Sequence, residues 1–159
     1  MVCSVRPLEC GEAGLLHSLA LRCPPLDLHT PYTYWVISEF FHDWCFVLQI
    51  DGQSAGFVTC VQRDSTLFLW QVGILPEYRR HGYSRLLYAQ VLDKALCQGI
   101  DVITTTIADD NVASRVSMES FFIRSGGTMR AVGTVELLDD TDPGFSEVET
   151  KYVITVGEV

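Results

Sequence analysis

Positive charge is scarce in this chain. Its 159 residues carry 11 lysines and arginines against 20 aspartates and glutamates, a net charge of −9. A nucleic-acid or anionic-membrane partner requires a basic face that neutralises phosphates, so the balance argues against both and suits a small cationic substrate. Long apolar runs are absent too, and the start, Met1-Val-Cys-Ser-Val-Arg6, lacks a basic segment followed by an apolar one. The expectation is a soluble, cytoplasmic chain. The six cysteines, Cys3, Cys10, Cys23, Cys45, Cys60 and Cys97, form no Cys-x-x-Cys pair, and His17, His29, His42 and His81 show no ligand spacing. That pattern points to no metal, to reduced and mostly buried thiols, and to histidines that pack or face solvent. Nor is there an internal repeat, a low-complexity segment or a linker. With 48% hydrophobic residues, a single domain over residues 1–159 is expected.

What the chain does contain is organised around Thr66 to Gln98. Residues Thr66–Leu75 read as a buried strand, Pro76–Ser84 as a tight polar turn and Arg85–Gln98 as an amphipathic helix. A helix start carries unpaired N–H groups and the positive end of the macrodipole, so a loop that curls onto it holds phosphate well. Gly82 lets the backbone come close, and Arg79 and Arg80 add charge. Neither Gly-x-Gly-x-x-Gly nor Gly-Lys-Ser/Thr is present, which sets aside the usual dinucleotide and P-loop readings.

Around this stretch the pattern predicts a first strand at Val2–Val5 and a helix over Glu9–Leu21 that Cys23-Pro24-Pro25 ends. A second helix is expected over Tyr34–Phe41, with Thr30 as N-cap and Pro31 as first helical position. Phe46–Ile50 and Ala55–Val61 read as a hairpin about Asp51-Gly52. Ile100–Ile107 reads as a strand reached by a right-handed crossover, parallel to the central one. Asn111 caps a helix over Val112–Arg124, and Ala131–Leu138 and Lys151–Val156 are final strands joined by a mobile acidic loop, Asp139–Glu147.

The pattern Val72-x-x-x-Pro76-x-Tyr78-Arg79-x-x-Gly82-x-Ser84-x-x-Leu87 resembles the acetyl-CoA pyrophosphate loop of the GNAT superfamily of N-acetyltransferases. Arg79 and Gly82 match its Gln/Arg-x-x-Gly-x-Gly/Ala pattern, and Ser84 stands where Gly or Ala is usual. The resemblance implies an α+β fold with a mixed, mostly antiparallel central sheet flanked by helices. It also implies acetyl-CoA as co-substrate, held at Val72, Gly73, Ile74, Arg79, Arg80, His81, Gly82, Tyr83 and Ser84. Asn111-x-Ala113-Ser114 is similar to the GNAT segment whose Asn and following helix face the pantetheine and pyrophosphate, which makes Asn111 and Ser114 further candidate contacts. A homodimer is implied as well, and Trp35, Phe40 and Trp44 are available for its interface.

Two further stretches, Leu26-Asp-Leu-x-Thr-Pro-Tyr32-x-Tyr34 and Leu67-Phe-Leu-Trp70-Gln71-Val72, resemble the diaminobutyrate acetyltransferases of ectoine biosynthesis, as does Glu147-x-Glu149-x-x-Tyr152. The implied substrate is L-2,4-diaminobutyrate, a small cationic amino acid. Asp27, Glu147 and Glu149 are candidates for its ammonium groups through charge-assisted hydrogen bonds, Thr30 and Tyr32 for its amino-acid head, and Trp70 for a wall of the pocket. For Glu147 and Glu149, solvated loop acids are an equal alternative. Trp70, Gln71 and Val72 are the candidate catalytic positions, with backbone N–H groups around Val72–Ile74 steadying an oxyanion while the neutral amine attacks directly. Two positions depart from the families. Met118 stands where many GNAT enzymes have a tyrosine that protonates the leaving thiolate, and Ser146 where the diaminobutyrate enzymes usually have a histidine. A GNAT enzyme for another amine, a non-catalytic CoA-binding module and a protein N-acetyltransferase therefore stay open.

Overall fold

The structure is a computed structural model that describes residues 1–156; residues 157–159 of the expected domain lie outside the described ones. Seven strands, Cys3–Pro7 (β1), Phe46–Ile50 (β2), Gln53–Arg63 (β3), Thr66–Ile74 (β4), Val102–Ala108 (β5), Thr128–Leu138 (β6) and Ser146–Thr155 (β7), form one sheet in the order β1-β2-β3-β4-β5-β7-β6. Among the described residues only the β4–β5 pair is parallel, as a strand-helix-strand crossover requires. The helices are Ala13–Leu21 (α1), Pro31–Phe40 (α2), Ser84–Cys97 (α3) and Val112–Arg124 (α4). This is the mixed, mostly antiparallel α+β sheet that the resemblance implies.

Each face of the sheet buries its own core. On one side α3 inserts Leu87, Tyr88, Val91, Leu92 and Ala95, a helical stripe, and α4 adds Met118 and Phe122. On the other, Leu16, Leu19 and Ala20 of α1 and Tyr34 and Ile37 of α2 close over Val47, Phe57 and Leu75. Burying residues of this size contributes about 2 kcal/mol each, so Phe57→Ala is expected to cost roughly 3–5 kcal/mol.

Local signals set most boundaries. Asp51 and Gly52 turn β2 into β3 with φ of 49° and 78°, which a two-residue hairpin demands. Thr30 accepts a hydrogen bond from the Thr33 N–H at 3.2 Å, and Pro31 begins α2. Gly99, with φ 70°, follows the end of α3. Elsewhere the expectation is corrected. α1 begins at Ala13 rather than Glu9, because Glu12 takes the Glu9 N–H at 2.8 Å and both arms of Arg6 at 2.7 and 2.8 Å, fixing a turn before the helix. The acidic loop is shorter than read, since β7 starts at Ser146 and holds Glu147 and Glu149 in its ladder. Trp44 is 2% exposed, donates from its indole to Gln62 and belongs to the core, so it is withdrawn as an interface residue. Half of the thiols are exposed rather than buried: Cys3, Cys10 and Cys97 face solvent and Cys23, Cys45 and Cys60 do not.

Candidate active site

The site forms where β4 leaves β5. The two strands pair only from Thr66↔Val102 to Phe68↔Thr104, while β5 stays on β7 as far as Ala108↔Glu149. At the parting, the Thr105 hydroxyl donates to the Leu69 carbonyl at 2.9 Å, a side chain standing in for the ladder. Beyond it one edge of β4 is unpaired among the described residues. Leu75 N–H donates to the Ala55 carbonyl on the β3 side at 2.9 Å, so by alternation Val72 and Ile74 turn their backbone groups to the open edge.

A bulge gives β4 a second role. Thr59 faces Gln71 and Cys60 faces Leu69, leaving Trp70 as the extra residue. Leu67 and Leu69 point into the core under α3 and α4; after the bulge Val72 and Ile74 do so instead. Gln71 and Trp70 are thereby delivered to the α1–α2 face. There the Tyr34 hydroxyl donates to Gln71 Oε1 at 3.0 Å and accepts from the His29 backbone N–H at 3.4 Å. Gln71 Nε2 donates in turn to the Asp27 carbonyl at 2.6 Å. This chain of bonds fixes the loop 26–30 against β4. Burial pushes the Tyr34 phenol upward, which keeps it a neutral donor. Gly73 is required for the fit, because a Cβ there would lie 2.8 Å from the Phe57 ring, 3.2 Å from the Cys23 sulfur and 3.3 Å from Leu26.

The α1–α2 side of the opening is acidic. Glu147 is raised above the usual carboxylate range, first by repulsion from Asp27, then by partial loss of solvent and by Glu149 and Asp110. Carboxylates of the α1–α2 loop, β7 and the β5–α4 loop therefore converge. Trp70, 36% exposed, lies 5.0 Å from the His29 ring and 6.5 Å from Phe68, measured between centroids. Thr30 and Tyr32 are placed less decisively. The Thr30 hydroxyl is committed to Thr33, and Tyr32, 71% exposed, packs on Trp35.

On the other side of the opening, the loop after β4 has the makings of an anion cradle. Arg80 and Gly82 adopt φ of 66° and 73°, and among the described residues the backbone N–H groups of Arg80 to Arg85 meet no acceptor. The N-cap position of α3, Tyr83, supplies no side-chain cap, and its first turn holds no acidic residue. Ser84 and Ser117 hydroxyls, 3.0 Å apart, bind the start of α3 to α4, while Asn111 caps α4 by accepting the Ser114 N–H at 3.3 Å. His81 and Tyr83 face each other at 5.7 Å. Arg79 does something other than add charge to the loop: its guanidinium donates to the carbonyls of Ile74 at 2.8 Å and Pro24 at 3.0 Å, clamping the α1–α2 loop to the end of β4. These free N–H groups fit a pyrophosphate, and the adjoining open edge of β4 fits an extended amide arm.

Four groups here escaped the sequence reading. Tyr34, His29 and Asp110 sit within or beside recognised motifs, but only the fold shows what they face. Arg85, whose guanidinium lies 3.6 Å from the Cβ position of Gly82, reads in sequence as an ordinary first-turn helix residue. Met118 is a core residue, 2% exposed, so no acid stands at its position. The fully buried Cys60 has its thiol held well above the ordinary range by desolvation.

Residues 15–116 match the acetyltransferase (GNAT) family model. The chain belongs to this family. Among its relatives is an L-2,4-diaminobutyric acid acetyltransferase of Bordetella parapertussis, 32% identical over 115 residues that cover 70% of this chain. The alignment spans 62% of that relative's own length. The enzyme of the same name from Methylotuvimicrobium alcaliphilum is 29% identical over 151 residues, 92% of this chain and 86% of the relative. A solved diaminobutyrate acetyltransferase EctA from Paenibacillus lautus, in complex with L-2,4-diaminobutyric acid and coenzyme A, superposes with a TM-score of 0.83 at 26% identity, covering 99% of this chain and 98% of that one. In this GNAT chain, as the geometry already indicated, the opening between β4 and β5 has a donor-rich side and an acidic side.

Proposed function

We propose that the protein transfers the acetyl group of acetyl-CoA to the side-chain amine of L-2,4-diaminobutyrate, the acetylation step of ectoine biosynthesis. The observation that carries this reading is the acidic surrounding of Glu147, which Asp27, Glu149 and Asp110 push upward, on the side of the sheet where Gln71 of β4 holds the Asp27 carbonyl. A substrate with two ammonium groups needs such counter-charges, and the solved Paenibacillus relative holds that amino acid. The repulsion that raises Glu147 is relieved when a cation arrives between the carboxylates.

Acetyl-CoA supplies an activated thioester. The N–H groups of Arg80 to Arg85 and the start of α3 would hold its pyrophosphate, with Arg80, His81, Tyr83, Ser84, Asn111 and Ser114 around it. Val72 and Ile74 offer the open-edge N–H groups for the charge that develops on the carbonyl oxygen, worth about 3 kcal/mol per donor in comparable sites. Asp27, Glu147 and Glu149 hold the acceptor, with Thr30 and Tyr32 at the amino-acid head. Holding both partners at one edge supplies much of the rate. We further propose one domain over residues 1–159, a cytoplasmic location and a homodimer, which the exposed aromatic cluster of Tyr32, Trp35 and Phe40 supports. Among the described residues, no helix is long and apolar enough to cross a membrane.

A second reading, a related diamine or amino acid as acceptor, is favoured by Ser146, whose hydroxyl donates to Glu136 on β6 at 3.3 Å. The deciding experiment supplies acetyl-CoA with L-2,4-diaminobutyrate, follows free thiol and locates the new amide by NMR. Acetylation at the side-chain nitrogen is expected. CoA binding with no turnover of any amine would identify a non-catalytic module instead.

A further inference from the structure

An amine must shed a proton before it can attack, and the carboxylates of the acidic cluster are already the partners of its positive charge. His29 is the neutral base beside them. Its imidazole lies between Tyr34, 5.5 Å away, and Trp70, 5.0 Å away, and its Nε2 is the buried side-chain polar atom that finds no partner among the described residues. In an enclosed position between two aromatic rings an N–H is better accommodated than a lone pair, because a π system accepts a weak hydrogen bond. The proton of the neutral ring is thereby placed on Nε2. Nδ1 makes no hydrogen bond among the described residues and keeps its lone pair for an incoming proton. The backbone of His29 is held by Tyr34, and the carbonyl of Asp27, two residues earlier, by Gln71, so the imidazole is fixed to the strand that carries the open N–H groups.

We propose that His29 is the general base of the reaction, with Nδ1 taking a proton from the acceptor's ammonium group. The inference rests on the acetyltransferase reading above. The ammonium N–H bond breaks and its pair stays on nitrogen, giving a neutral amine and an imidazolium. The amine then forms the N–C bond as the C–S bond breaks, the second amine proton passes to the departing thiolate, and the imidazolium returns its proton to solvent. Burial holds His29 below the ordinary imidazole value, against the pull of Asp27. The ring is therefore uncharged at neutral pH and ready to accept. The titratable groups around it are Asp27 on its own loop and the Tyr34 phenol on α2, with His17 of α1 edge-on to Tyr34 at 5.9 Å.

The test compares wild type with His29→Gln and His29→Ala. An NMR titration of the protein alone should place the His29 imidazole below the usual histidine range, and the acid limb of the kcat profile should inflect at that value. In His29→Gln, kcat should fall about 100-fold or more, the inflection should vanish, and KM for the amine and affinity for CoA should hold. Added imidazole should restore part of the rate in His29→Ala. Normal wild-type turnover with an unchanged kcat and inflection in His29→Gln would overturn this assignment alone. Loss through KM only, without imidazole rescue, would make His29 a packing residue and overturn it too. A wild type that binds CoA but turns over no amine would overturn the function reading and this inference together.

Discussion

The loop before α3 and the loop before α2 flank the same opening and both run into a helix N-terminus, yet they are finished in opposite ways. Before α2, Thr30 caps the helix through the Thr33 N–H and Pro31 has no N–H to leave open. Before α3 there is no side-chain cap, and the N–H groups of Arg80 to Arg85 are free of acceptors among the described residues. A helix start attracts anions only when its donors are left unmet. The chain thus presents unmet backbone donors on one side and, with the other helix capped, the carboxylates of Asp27, Glu147 and Asp110 on the other. Backbone recognition makes few demands on side chains, whereas cation recognition depends on particular carboxylates.

Removing a carboxylate should break the contrast most severely. Asp27→Asn keeps the loop's backbone bonds to Gln71 but loses a charge, and kcat/KM for the amine is expected to fall about 10- to 100-fold. CoA affinity, measured by calorimetry, should be unchanged. Closing the open helix tests the other half. Tyr83→Asp sets a carboxylate before α3 against the incoming anion and gives up the ring's packing on the core, so CoA binding should weaken whatever the change in Tm. Undiminished CoA affinity would contradict the assignment of that end. Arg79→Ala probes the clamp between the two loops. It is expected to lower stability by about 1–3 kcal/mol in a melting experiment, and a loss of CoA affinity alone would show that its guanidinium serves the anion instead.

The smallest effect concerns pH. His29 is held below its ordinary value of 6.5, so the unfolded chain takes up a proton at higher pH than the folded one. Its contribution to stability is present above the unfolded value and is lost as pH falls through the folded value. The slope of Tm against pH in that window should flatten in His29→Gln. An identical slope would mean that the ring is not protected from protonation by the fold.

Short-range signals made much of this legible in the sequence. Thr30-Pro31, Asp51-Gly52, Gly99 and Asn111 carry their own backbone chemistry and mark element ends wherever they fall. The motifs from Val72 to Leu87 and from Leu26 to Tyr34 lie on the two sides of the opening. What stayed hidden depends on partners distant in sequence. The bulge that turns Trp70 and Gln71 to one face needs Thr59 and Cys60 opposite, and the clamp needs Pro24 brought to Arg79. Trp44 looked available as an interface aromatic because burial is not encoded at a single position. Glu12 moved the start of α1 by binding Arg6, which no helical periodicity reveals.

The measurement that bears most directly on this account is kcat/KM for L-2,4-diaminobutyrate relative to ornithine, lysine and simple diamines, in wild type and in Asp27→Ala. A marked preference for diaminobutyrate that collapses in the variant while CoA binding persists is the predicted result. Equal turnover of all these amines, or a preference that survives the loss of Asp27, would contradict the claim that this acidic opening selects the acceptor.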